Sequence, residues 1–109
     1  MIVIRANNKL ETYRRDTGIL SINITGYELG EGDYVVLSVK KDIKDTNYIF
    51  QKRIDKFEDN QVVFIFTEDD TDIKEGIYKY DIKIYLKDGT RDRLIKPSDF
   101  SVLAGVTNE

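Results

Sequence analysis

The chain has 109 residues and a formal net charge of −3, and this length suits a single domain with one core, which we place over residues 1–109. It contains neither cysteine nor histidine, which excludes a disulfide framework, a thiolate metal site and the commonest general base. The acidic balance also argues against a nucleic-acid partner, because phosphate binding needs a clustered basic surface.

The N-terminal segment carries only three apolar residues, Ile2 to Ile4, before Arg5. This run is too short for the central region of a signal peptide. No later run approaches the 18 or so consecutive apolar residues of a membrane span. We therefore expect neither secretion nor membrane insertion.

Two early segments alternate apolar and polar residues. They are GILSINIT, which begins at Gly18, and DYVVLSVKK, which begins at Asp33. A period of two predicts strands that each have one buried face. The residues expected to point inward are Leu20, Ile22, Ile24, Val35, Leu37 and Val39. The intervening GYELGEGD, with three glycines, is typical of a loop.

The next two segments depart from simple alternation. In NYIFQKRIDKF, Lys52 shares a parity with Phe50 and Ile54. A charge on the nominal core face protects a sheet edge, so this segment is predicted to be an edge or bent strand. VVFIFT is apolar on both faces, which predicts a strand covered on both sides or close to an interface, with Phe64 and Phe66 in the core.

The acidic segment TEDDTDIKEG predicts the one helical turn of the chain, because Thr67, Asp69 and Asp70 can cap it and acidic groups favour a helix N-terminus. Its carboxylates, with Glu68 and Asp72, are also oxygen donors of the kind that calcium accepts. However, the glycine and the final glutamate of an EF-hand loop are missing. A solvated, capped turn is the favoured interpretation, and no metal site is predicted.

The most regular strand begins at Gly76, and it places Tyr78 and Tyr80 on the core face with Tyr85 on the opposite face. Outward Tyr85 is a candidate interface residue, and cross-strand packing explains it nearly as well. Asp88 and Gly89 then predict a two-residue hairpin with a type I′ turn.

The partner strand TRDRLI is predicted to end, or to lie at an edge, at Pro97, and DFSVLAGVT follows it as a last strand. The chain as a whole predicts seven to nine short strands and no amphipathic helix. An all-β fold follows, either an antiparallel sandwich or a barrel.

No constellation of residues indicates catalysis. Serines are present, but without histidine they cannot form a conventional triad. Glycines occur without the lysine and the strand-to-helix context of a phosphate loop. We therefore predict a non-enzymatic protein with no catalytic residue and no cofactor.

Three motifs carry a resemblance to a known family. They are TDIKEGIYKYDI, from Thr71 to Ile82, then LKDGT, and the terminal FSVLAGVT. Together they resemble the small immunoglobulin-like domains of bacteriophage tail and baseplate proteins, such as the N-terminal domain of the baseplate upper protein. The likeness covers about the last 40 residues well, and it extends loosely to LSINITGYELGEGDYVVLSVK. It departs at Pro97, Ser98 and Asp99, where the family pattern opens the final strand with a glycine.

The resemblance implies an immunoglobulin-like antiparallel β-sandwich in which DIKEGIYKY approaches strand F. It implies that Tyr78 is the corner tyrosine, that Tyr80 replaces the second cysteine as a core residue, and that Gly76 lets the chain turn into the strand. It further implies a structural or adaptor protein of a phage or prophage tail, made in the bacterial cytoplasm and located in the virion. Its partners would be other tail or baseplate proteins and further copies of itself.

An alternative is a carbohydrate-binding module of the same sandwich class. In that case Tyr27, Tyr34 or Tyr48 would stack on a sugar ring. The chain has no tryptophan, so the largest aromatic platform is missing, and we favour the tail protein.

Overall fold

The computed structural model describes residues 1–107, which form eight strands and two short helical turns. A 3-10 turn lies at Ala6–Asn8, and a single-turn helix, α1, lies at Glu68–Thr71. The strands are β1 (Ile2–Ile4), β2 (Leu10–Tyr13), β3 (Gly18–Asn23), β4 (Tyr34–Lys40), β5 (Phe50–Ile54), β6 (Gln61–Phe66), β7 (Gly76–Tyr85) and β8 (Arg91–Leu103).

The strands form two sheets. Six strands follow the order β1-β2-β8-β7-β4-β5, and β3 pairs with β6 alone. The predicted all-β class is confirmed. The expectation of a purely antiparallel arrangement is wrong, because β2 and β8 are parallel, with Leu10 opposite Phe100 and Tyr13 opposite Leu103. A parallel pair needs a long crossover, and here nearly the whole chain lies between the two strands.

The two sheets turn their apolar faces toward each other and share one core. Phe66 of β6 and Phe100 of β8 meet with ring centroids 6.2 Å apart, and Phe50 of β5 lies 6.1 Å from each of them. The predicted core positions Phe64 and Phe66 are buried. Alternation in β4 and β7 is also as predicted, with these residues buried: Val35, Leu37, Val39, Tyr78, Tyr80, Ile82 and Ile84.

Strand β8 runs through Pro97 without a break, so the prediction that the strand ends there is wrong. The alternative, an edge position, agrees with the register, because β2 pairs with β8 only from Phe100 to Leu103 and β7 is the strand paired with β8 around Pro97. Tyr80 is opposite Ser98 and Ile82 is opposite Ile95, which leaves one extra residue on β8 between these pairs. Proline cannot donate to a ladder, and a bulge is one of the few places where a sheet tolerates it.

The hairpin between β7 and β8 lies where Asp88 and Gly89 predict it, but its turn is longer. Among the loop residues only Gly89 has a positive φ, 95°, whereas a type I′ turn needs two such residues. The Leu86 N–H donates to the Thr90 carbonyl at 2.8 Å, so three residues form the loop, with glycine in the left-handed position. The Asp88 carboxylate accepts from the Thr90 backbone, and its hydrogen bonds to Thr90 hold the pKa of Asp88 below its usual value.

Strand β5 is an edge of the six-stranded sheet, as predicted. Its Lys52 reaches the carboxylate of Asp70 in helix α1, with 2.5 Å between Nζ and Oδ2. Asp70 also closes a capping box, because it accepts from the Thr67 N–H at 2.8 Å while the Thr67 hydroxyl accepts from the Asp70 N–H at 3.2 Å. The predicted capped turn is confirmed, and the ion pair joins it to β5.

The start of β7 is a backbone corner. Gly76 has a φ of 154°, which L side chains rarely adopt. Tyr78 is buried, and its hydroxyl donates to the Lys74 carbonyl four residues upstream, at 2.6 Å. The hydroxyl of buried Tyr80 donates to the carbonyl of Asn8, which ties the centre of the sheet to the N-terminal 3-10 turn. Burial raises the pKa of Tyr80 to about 12.

Candidate functional site

Four adjacent strands, β5, β4, β7 and β8, turn one side toward the core and the other away from it. We call the second side the outer face. Because successive side chains of a strand point to opposite sides, the registers of these strands assign the residues of the outer face. They are Tyr34, Val36, Ser38 and Lys40 of β4, Gln51 and Arg53 of β5, Lys79, Asp81, Lys83 and Tyr85 of β7, and Arg91, Arg93 and Asp99 of β8.

The outer face is strongly basic. Six of its side chains are cations and two are carboxylates, which leaves an excess of four positive charges on a chain whose formal net charge is −3. The remainder of the protein is correspondingly acidic. Such a separation of charge creates a local field that favours an anionic partner at this surface.

An aromatic stack lies at one end of the outer face, where β4 begins and β7 ends. Tyr34 and Tyr85 are opposite each other on β4 and β7, and their rings are stacked at 4.7 Å with an interplanar angle of 11°. The Arg53 guanidinium lies 3.8 Å from the Tyr34 centroid, and the Arg91 guanidinium lies 5.4 Å from that of Tyr85. Arg53, Tyr34, Tyr85 and Arg91 therefore form one row over four strands, held by stacking and cation–π contacts.

Two carboxylates neutralise part of the charge. Asp81 accepts from the Arg93 Nε at 2.9 Å, and Asp99 pairs with Lys79 on the neighbouring strand. These exposed pairs contribute little to stability. They leave four cations of the face, Lys40, Arg53, Lys83 and Arg91, without a carboxylate partner among residues 1–107.

The outer face contains a shallow concavity of about 260 Å³. Its walls include the β4–β5 connection, which contributes Ile43 and Tyr48, and its lining includes Val36 and Pro97. Lys40 lies 4.9 Å from the centre of the Tyr48 ring. The concavity therefore combines apolar side chains with polar ones, such as Ser38 and Gln51, and with cations, and it is open to an extended ligand.

Of the tyrosines considered as sugar platforms, two are already engaged. Tyr34 has Tyr85 and Arg53 within 4.7 Å of its ring centroid, and groups this close must occupy opposite faces. The Tyr27 ring packs against the core, and its hydroxyl donates to Asp92 at 2.5 Å, which raises the pKa of Tyr27. Tyr48 is half exposed, with Lys40 4.9 Å from its ring centre. Tyr48 is therefore the most exposed of the three platforms that the carbohydrate alternative considered.

Three carboxylates of the acidic segment at α1 each pair with a different cation. Asp70 binds Lys52, Glu68 binds Arg15 at 2.6 Å, and Asp72 binds Arg14 at 3.0 Å. Burial raises the pKa of Asp70, but hydrogen bonds from Lys52 and Thr67 outweigh burial, so its pKa lies below the usual value. Within residues 1–107 no group of three or more potential metal ligands converges.

A second exposed surface lies on the two-stranded sheet. Ile19 of β3 and Ile65 of β6 are opposite each other and are 65% and 62% exposed, and Val63 beside them is 38% exposed. The prediction that β6 is covered on both sides is therefore wrong for a single copy of the chain. The alternative in that prediction, a position near an interface, stays a prediction.

The sequence analysis missed the basic face because its cations come from four strands and are far apart in the chain. In the sequence, Lys52-Arg53 and the group at Arg91, Arg93 and Lys96 are short basic runs of the kind that an ordinary solvated strand face carries. A usable signal exists: Lys79 and Lys83 share a parity with Tyr85 in β7, so a cationic row beside a tyrosine was visible in one strand. Only the strand order brings the other cations to it.

None of the family models, curated proteins or solved structures compared with the chain gives a significant match. In the part of the chain that the structure describes, no helix has the length and apolar character needed to cross a membrane.

Proposed function

We propose that the protein is a non-enzymatic structural or adaptor domain of a phage or prophage tail or baseplate, and that it acts through protein–protein contacts. The observation that carries this proposal is the outer face, with its stacked tyrosines and unpaired arginines. Tyrosine and arginine are enriched among the residues that dominate binding at protein interfaces. Tyr85, the candidate interface residue of the sequence analysis, belongs to this face, where it stacks on Tyr34.

Strand order supports the immunoglobulin-like part of the proposal. In immunoglobulin folds strands C, F and G are neighbours in one sheet, and strands B and E are neighbours in the other. Here β4, β7 and β8 are neighbours in that order, and β3 pairs with β6. The hydrogen bond from Tyr78 to the Lys74 carbonyl resembles the tyrosine corner at strand F of that fold.

Two exposed surfaces of different character suit an assembly protein. The apolar pair of Ile19 and Ile65 suits contact with a further copy of the chain, because isologous interfaces are comparatively apolar. The basic outer face then remains available for a different tail protein. In this proposal the chain is made in the bacterial cytoplasm and becomes part of the virion tail.

The test is the molar mass of the purified protein by light scattering after size exclusion, over a hundredfold range of concentration. The proposal expects a defined oligomer that persists on dilution and that Ile65→Thr shifts toward monomer. Val106→Thr, which changes an exposed apolar residue outside the two-stranded sheet, is the matched control. A monomer at the highest concentration overturns the homo-oligomer.

A glycan array distinguishes the carbohydrate alternative. The tail-protein proposal expects no specific signal. A sugar signal that disappears in Tyr48→Ala and survives in Tyr13→Ala, which changes an exposed tyrosine elsewhere, replaces the proposal with the carbohydrate-binding module.

A further inference from the structure

The four unpaired cations of the outer face share one property: each contacts an aromatic ring. Arg53 lies over Tyr34, and Lys83 and Arg91 lie 5.1 Å and 5.4 Å from the Tyr85 centroid. A guanidinium stacked on a ring contacts it with its flat face and keeps its N–H edges directed outward in the plane. Those edges are the part of arginine that binds carboxylates in a two-pronged geometry.

The same packing leaves no free aromatic ring in this row for a ligand to stack on. Tyr34 has a neighbour on each side of its ring, and Tyr85 is stacked on Tyr34 with two cations close to its centroid. A nucleobase therefore finds no free ring in this row, although stacking on aromatic platforms is how single-stranded nucleic acid is usually held. What remains available is a set of hydrogen-bond donors and positive charges.

We propose that the outer face binds an extended, acidic segment of a partner protein, with carboxylates on the arginines at both ends of the row and an apolar side chain in the concavity. This inference rests on the proposed function, and it names the chemistry of the partner. The excess of four positive charges supplies the complementarity, and Val36 and Pro97 supply apolar contacts in the concavity.

The dimensions of the row suit such a segment. Arg53 and Arg91 lie on strands that are three strand spacings apart, which is about 14 Å at about 4.8 Å per spacing. Arg53 is opposite Val36, two residues along β4 from Tyr34, and its side chain reaches back over the Tyr34 ring to join the row. An extended chain rises about 3.3 Å per residue, so carboxylates at positions i and i+4 are about 13 Å apart. Side chains at i and i+4 also point to the same side of an extended chain. One acidic segment can therefore reach both arginines, while Lys83 lies between them.

The experiment is fluorescence anisotropy with a labelled ten-residue peptide in which glutamate alternates with threonine and one central glutamate is replaced by leucine, so that the leucine and its flanking glutamates point to the same side. The control peptide has glutamine at every glutamate position. We expect saturable binding of the acidic peptide, weakened about tenfold when salt rises from 50 to 300 mM, because exposed charges are screened. Binding of the glutamine peptide at equal affinity overturns the proposal.

The decisive variant is the double substitution Arg53→Gln and Arg91→Gln. We expect it to weaken binding of the acidic peptide by about tenfold or more, because each arginine loses a charge-assisted hydrogen bond. The matched control is Lys9→Gln with Lys74→Gln, which removes the same charge away from the outer face and leaves affinity nearly unchanged. Circular dichroism confirms that both variants are folded. Equal losses in the two double variants overturn the proposal.

A ten-nucleotide oligothymidylate is titrated in parallel. The proposal expects it to bind more weakly than the acidic peptide at 150 mM salt, and tighter binding of the oligonucleotide overturns it in favour of a nucleic-acid surface. The oligomeric mass tests the proposed function independently. If the protein forms a stable oligomer but its outer face does not bind the acidic peptide, the proposed function still holds and only this inference is rejected.

Discussion

The ion pair between Lys52 and Asp70 links the edge strand β5 to helix α1, and it provides a direct test of this link. The two side chains are 23% and 17% exposed, and their charged atoms are 2.5 Å apart. The substitution Asp70→Asn removes the charge, while its amide oxygen can still accept from the Thr67 N–H. It leaves Lys52 half-buried on the core side without a counter-charge.

The magnitude follows from opposing effects. Two unit charges about 4 Å apart attract by about 4 kcal/mol at an effective dielectric constant of about 20. Desolvation and the ordering of two side chains offset most of this attraction. We expect Asp70→Asn to lower the free energy of unfolding by about 1–2 kcal/mol. For a domain of this size that corresponds to about 5–10 °C in Tm.

The dependence on pH has a definite sign. The pKa of Asp70 is lowered in the folded state, so its contribution is complete above the unfolded-state pKa, near 4, and is lost as the pH falls through the folded-state pKa. The stability difference between the natural protein and Asp70→Asn is therefore constant from pH 6 to 8 and shrinks below pH 4.

The assay is urea denaturation followed by circular dichroism, because urea, unlike guanidinium chloride, does not screen the pair. Asp69→Asn is the matched control: Asp69 is exposed, and no side-chain partner is recorded for it in residues 1–107. A difference below about 0.3 kcal/mol at pH 7, which is the scatter expected of independent surface changes, refutes the reasoning. So does a difference that is unchanged below pH 3.

Three further outcomes are expected. Tyr78→Phe removes the hydrogen bond to the Lys74 carbonyl and should lower the free energy of unfolding, measured by urea denaturation, by about 1 kcal/mol. Tyr13→Phe, the control, should change it by nearly zero. Equal effects of the two substitutions would contradict the assignment of Tyr78 as the corner tyrosine. Gly76→Ala places a side chain at a φ of 154° and should cost about 1–3 kcal/mol, whereas Gly30→Ala, at a position with open space around it, should be nearly neutral in the same thermal melts. Burial raises the pKa of Tyr80 to about 12, above the usual value near 10, so the neutral side chain contributes fully to stability below pH 10 and less as the pH rises to 12. Tyrosinate absorbance should show that Tyr80 is the last tyrosine to ionise. A titration of all tyrosines that is complete by pH 11 in the folded protein would exclude the burial of Tyr80.

Most of what was correctly predicted about the fold depends on residues that are close together in the chain. The alternation in β4 and β7 identified their buried faces because a strand has a strict period of two, and Thr67 with Asp70 identified the capped turn because a cap needs only neighbours in the chain. The predictions failed where distant segments meet. Strand β8 passes Pro97 because a bulge against β7 removes the need for its N–H, and β2 becomes a strand because β8 offers it a parallel edge.

The candidate site shows the same division. The sequence by itself determined that Tyr85 points away from the core, that the interior is apolar, and that a triad based on histidine cannot form, because these depend on residue type and local period. Only the tertiary structure decided that Tyr85 stacks on Tyr34 between Arg53 and Arg91. Cross-strand neighbours depend on sheet order and register, and nothing in the local pattern of a strand specifies which other strand lies beside it.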